Sequence, residues 1–153
     1  MKSLVLARLS TLLLAIALPS FLPSLGQATL PGPTVAQAQT TRKLLKSGPF
    51  KAVEHPTRGS ARIVEIGGKS FVELDGQFKT DAAPDLVVIL HRSSAPALKL
   101  KAGDYLSLAP LRATTGSQRY AIPADVKLAD YNAVAIWCRQ FNATFGAATL
   151  SQN

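Results

Sequence analysis

The chain carries one thiol, Cys138, and two imidazoles, His55 and His91. These groups, with the carboxylate of Asp85, are the residues whose types could do redox, ligand or nucleophilic chemistry. A lone thiol has three readings on residue type alone. It can be a small buried hydrophobe. It can be a redox-active or ligating thiolate, which needs a low pKa and access. In an exported chain it can form an intermolecular disulfide. Many other chemistries are excluded. The sequence has no C-x-x-C dithiol, no C-x-x-C-H haem attachment, no H-E-x-x-H, no G-x-S-x-G and no phosphate loop. Two histidines and one cysteine cannot build a cysteine-rich structural zinc site. A Cys138, His55 or His91, and Asp85 nucleophilic set exists by type only, so a small hydrolase ranks last.

Each of these residues also has an ordinary structural role. His55 precedes Pro56, which favours extended or turn backbone, and a turn histidine there is either solvated or a ligand. His91 ends an apolar run and has the same two readings. Asp85 follows Pro84, where a carboxylate readily bonds nearby backbone. Trp137, beside the cysteine, is a sheet-packing residue or a platform for a ligand.

The elements that must position these groups read as β throughout. Turn residues recur about every ten positions, at Gly48-Pro49, His55-Pro56, Gly67-Gly68, Asp75-Gly76, Ala83-Pro84, Gly103-Asp104, Gly116-Ser117 and Pro123. Strands are expected near 49–54, 59–66, 70–75, 86–91, 104–109, 117–122, 132–138 and 141–150. Gly67-Gly68 predicts a tight hairpin turn. Leu86-Val-Val-Ile-Leu90 is a continuous apolar run, as in a central strand buried on both faces. Residues 124–131 leave room for one helical turn. Side chains alternate along a strand. Val134, Ile136 and Cys138 therefore share one face, and Ala135 and Trp137 the other. Phe141, Ala143 and Phe145 share a face of the last strand, with Arg139-Gln140 as a tip or kink between. The fold class expected is all-β, an antiparallel β-sandwich of about eight strands, jelly-roll or Greek-key-like.

The first residues set a different task. Lys2 and Arg8 precede or flank an apolar run, Leu9 to Leu25, that is too short and too proline-broken for a spanning helix. Small residues follow at Gly26 and Ala28, and at Ala36 and Ala38. Residues 1–38 read as a signal peptide cleaved after Ala38, alternatively after Ala28. Residues 39–47 form a polar, basic lead-in and 48–153 the domain. Export would place the chain in a periplasmic or extracellular space, with the membrane met only through the transient signal. The remaining 115 residues keep 15 basic against 9 acidic residues, net +6. The basic residues are dispersed, which sets solubility or steers toward an acidic partner. Nucleic acid is not expected.

Several short patterns together resemble the DM13 domain over roughly residues 46–150. They are Gly48-x-Phe50, His55-x-x-x-Gly59 with Ile63, Pro84-Asp85-Leu86-x-Val88-x-Leu90, Tyr120-x-Ile122-Pro123, and Ile136-Trp137-Cys138-x-x-Phe141-x-x-x-Phe145-Gly146-x-Ala148. The resemblance implies a β-rich extracytoplasmic module proposed to act in electron transfer. In animals it stands beside DOMON and cytochrome b561-type domains. It also implies that Cys138 works as a bare thiol or as ligand of a prosthetic group such as haem; a haem iron accepts Cys or His. No cytochrome-type domain is present in this sequence, so a redox partner would be a separate molecule. The alternative is a non-catalytic binding or structural module of the cell envelope with Cys138 as a core residue. Either reading makes the chain an electron-transfer or binding domain rather than a hydrolase or transferase.

Overall fold

A computed structural model describes residues 41–152. The expected signal segment and both cleavage sites lie outside the described residues. Nine antiparallel strands follow in chain order: β1 Arg42–Ala52, β2 Ser60–Ile66, β3 Lys69–Leu74, β4 Leu86–His91, β5 Tyr105–Pro110, β6 Gln118–Ala121, β7 Ala133–Cys138, β8 Ala143–Thr149 and β9 Ser151–Gln152. One 3-10 turn, Leu128–Asp130, lies in the segment expected to hold a helical turn. The fold is all-β and antiparallel, as expected.

The strands hydrogen-bond in the order β5-β4-β7-β8-β1-β2-β3-β6, with β9 against β1. β1 joins two halves. Its first part pairs with β2 from Arg42 to Pro49, and its last part, Phe50 to Ala52, pairs with β8. We call the half with β2, β3 and β6 sheet A, and the half with β8, β7, β4 and β5 sheet B. Gly48 stands where β1 turns from one half to the other, and a Cβ there would collide with the Thr149 carbonyl. Only glycine lets the backbones come so close. The two halves face each other across one core. Ala61, Ile63, Val72 and Leu74 of sheet A meet Val88, Leu90, Val134 and Ile136 of sheet B there. The expected sandwich thus takes the form of a folded sheet that nearly closes, with β5 and β6 at its two free edges.

Sheet B has a second apolar layer. Val87, Ile89, Ala135, Trp137 and Ala147 point outward and are covered by Leu100, from the loop joining β4 to β5. This is why all six residues of β4 and all six of β7 are buried, as the apolar run predicts. Among the described residues sheet A has no such cover, and β3 alternates between buried and partly exposed positions.

Two expectations need correction. The lead-in is not separate from the sheet: β1 starts at Arg42, seven residues before the strand start read from the sequence. Charged outward side chains and a bulge between Leu44 and Lys46 break the alternation that would have marked it. The last long strand begins at Ala143, not 141. Residues 139–142 form the turn, closed by Asn142 N donating to Arg139 O at 3.2 Å. Asn142 has φ 46°, a left-handed conformation that Asn tolerates. Phe141 consequently leaves the core face and is 57% exposed. The Gly67-Gly68 turn is as predicted, with both φ values positive at 57° and 75°.

Candidate functional site

Cys138 is the last residue of β7. It pairs with Leu86 of β4 on one side and Ala143 of β8 on the other. Its face is that of Val134 and Ile136, inside the shared core, and it is 0% exposed. Trp137 points the other way into the outer layer, as alternation requires. Its ring meets Tyr105 at 4.8 Å between centroids, and its Nε1 donates to Asn142 Oδ1 at 3.0 Å. The same Asn142 accepts from Leu100 N and donates to Leu100 O. One turn residue thereby holds the β7–β8 hairpin, the indole and the covering loop together.

The strand end is flanked by an ion pair. Arg139 Nε and Nη2 donate to the two carboxylate oxygens of Asp85 at 3.0 and 2.8 Å. Arg139 N also donates to Asp85 O. The Arg139 hydrogen bond holds the Asp85 carboxyl below its ordinary value. The guanidinium next in sequence to the thiol is therefore engaged by a carboxylate.

His55 comes to the same end of sheet B. It stacks on Phe145, with centroids 3.8 Å apart, and its Nδ1 lies 3.1 Å from Asp81 Oδ2. It lines a cleft with Ala83, Pro84, Lys99, Ala143 and Phe145. Cys138 is not in that lining, but its cross-strand neighbour Ala143 is. His91 lies elsewhere. It pairs with Ala133 at the opposite end of β4 and β7, five residues or roughly 17 Å along the strand from Leu86 and Cys138. It is 4% exposed, and its Nδ1 accepts from Ser93 N at 3.0 Å. The structure thus gathers Cys138, Trp137, Asp85 and His55 at one end and separates His91 from them.

Among the described residues no three of His, Cys, Asp or Glu are grouped to hold a metal. The Cys138 side chain is fully buried, and the neighbouring cleft, about 260 Å³, is smaller than the usual range for drug-sized ligands. Sequence reasoning missed Asn142 and Lys46. Asn142 could have been suspected as the turn-forming residue between two strands. Lys46 is 8% exposed on β1 and donates to Leu128 O and Tyr131 O at 2.9 and 2.8 Å. Nothing local in the sequence marks it as buried.

A family model described as electron transfer DM13 matches residues 49–150. No curated protein and no solved structure matches the chain.

Proposed function

The chain belongs to the DM13 family, an electron-transfer family, and from that premise we propose that Cys138 is its redox group, a bare thiol concealed in the resting fold. The observation that carries this reading is the pairing of Cys138 with Ala143, which lines the His55–Phe145 cleft. On this reading a local opening at that cleft exposes the sulfur. The partner is a separate molecule bearing a reactive disulfide. The Cys138 thiol loses its proton to solvent, and its sulfur attacks one sulfur of that disulfide. The partner S–S bond breaks, a mixed disulfide forms, and the leaving thiolate takes up a proton. A thiol of a third molecule then attacks the partner's sulfur in the mixed disulfide, Cys138 leaves as a thiolate and takes up a proton, and the disulfide has passed from one molecule to another. Disulfides persist outside the cytoplasm, and the signal-like residues 1–38 support export to such a space.

The complete burial of the sulfur favours a second reading, a binding or structural module in which Cys138 fills the core. Alkylation kinetics separate the two. On the redox reading, the native thiol reacts slowly through a local opening. Its rate then barely changes in mild denaturant and rises in Phe145→Ala. If labelling occurs only at the rate of global unfolding, the thiol is core filler and the redox reading falls.

A further inference from the structure

Three of the basic residues that look dispersed in sequence, Arg42, Arg62 and Arg119, converge on the outer face of sheet A. Arg62 of β2, Glu73 of β3 and Arg119 of β6 stand directly opposite one another in register. Arg42, at the start of β1, reaches the same carboxylate: its Nη1 donates to Glu73 Oε1 at 3.0 Å. Arg119 donates to that oxygen from Nε at 2.9 Å. Arg119 is further held against the Phe71 ring at 5.5 Å, and its carbonyl accepts from Arg112 Nη2. Arg62 meets no partner among the described residues, although it lies beside the same acid. These groups line a cleft of about 440 Å³ with Asp75 and Ser117. One Asp75 oxygen already accepts from Gln77 N at 3.1 Å.

Three guanidiniums thus face two carboxylates, one surplus positive charge. Like charges on adjacent strands repel, and Glu73 cannot satisfy all three forks. Its own binding shows what the cleft recognises: a carboxylate held by paired N–H donors from two arginines. We propose that the cleft binds a singly charged oxyanion, a phosphodiester or carboxylate group, between Arg62 and the outward edges of Arg42 and Arg119. That group can belong to a lipid headgroup or to a soluble molecule.

The test uses the chain lacking residues 1–38 only if it folds as the full chain does, and otherwise the full chain. Dimethyl phosphate and acetate serve as soluble probes, with amide shifts of Arg62, Glu73 and Arg119 as the readout. Phosphatidylglycerol vesicles in a phosphatidylcholine background, read by sedimentation, test the membrane source. Saturable shifts are expected. Arg62→Ala should weaken them about tenfold, the effect of one charge-assisted contact. Lys101→Ala, which removes the same charge from the loop over sheet B, should leave them unchanged. Glu73→Gln should tighten binding severalfold by freeing two forks. If Glu73→Gln does not fold, the Arg62 and Lys101 comparison decides alone. A vesicle response that falls with Arg62→Ala identifies a lipid source; a response to soluble probes only identifies a soluble one. Shifts that never saturate, or equal losses in Arg62→Ala and Lys101→Ala, overturn the proposal.

Discussion

β7 and β3 are both interior strands of the same sheet, yet they live in different solvents. β7 is buried on all six residues and carries no charge. β3 keeps its inner face in the core and presents Glu73 to three arginines on the other. The difference comes from the 92–104 loop, whose Leu100 packs on the outer layer of sheet B. Among the described residues sheet A has nothing equivalent. A covered strand holds neutral side chains, because burial without a partner disfavours charge. An open strand can collect ions, because water and opposite charges share their solvation.

The contrast should appear most strongly in core truncation. Ile136 is 0% exposed at the centre of β7. Ile136→Ala should cost about 4 kcal/mol, a transfer loss plus a cavity that packed neighbours cannot fill. Urea denaturation measures it. A loss under about 1.5 kcal/mol would mean that the double layer of sheet B is not the rigid half.

Next in size is the bond that fixes the cover. Asn142→Ala leaves the Trp137 indole N–H and both backbone groups of Leu100 without their partner. The expected loss is about 2–3 kcal/mol, set by unsatisfied buried polar groups. Trp137 fluorescence should also shift red as the loop loosens. Asn142→Gly, which keeps the left-handed backbone, should lose a similar amount. If Asn142→Gly is near wild type, the backbone conformation matters and the hydrogen bonds do not.

Glu73→Gln probes the open half. Burial pulls the Glu73 carboxyl up, but the hydrogen bonds and charges of Arg42 and Arg119 together outweigh it and leave it below its ordinary 4.5. A depressed folded pKa contributes stability that is present above about pH 4.5 and is lost as pH falls through the folded value. Wild type should therefore lose on the order of 1 kcal/mol more than Glu73→Gln on acidification from neutral pH to below that window, since both arginines are half exposed. Parallel stability curves for the two proteins across that range would contradict this.

Much of this layout was legible in the sequence. β4 was readable because a continuous run, Leu86–Leu90, has to be covered on both faces. The hairpin at Gly67-Gly68 was readable because two positive-φ residues admit few alternatives. The faces of Cys138 and Trp137 followed from strand alternation. What failed depended on contacts distant in sequence. β1 looked like a lead-in because residues 42–47 find their partners in β2 and β9, 15–24 and more than 100 residues away. Lys46 is buried only because two carbonyls more than 80 residues away accept its protons. The arginine cluster was hidden for the same reason: Arg42, Arg62 and Arg119 meet only through strand register. His55 and His91 read alike from their neighbours, and only topology puts one at the thiol's end and the other far from it.

The smallest effect gives the sharpest form of the comparison. Arg62 is exposed and stands directly across from Glu73. Arg62→Ala removes one cross-strand attraction, roughly 0.2–1 kcal/mol. It also removes repulsion from Arg42 and Arg119, of opposite sign and similar size. The net change in stability should stay within about 0.5 kcal/mol, as at surface sites without buried partners. Both parts are screened by salt, so even this residue should vanish at high ionic strength. The Ile136→Ala loss should not, because burial of apolar surface involves no charge. Measuring both variants at low and high salt therefore separates the halves by their physics. A loss above 1 kcal/mol for Arg62→Ala that survives salt would place its side-chain stem in the packing of sheet A, and the outer face of that sheet would then count as structure rather than as a charged, open surface.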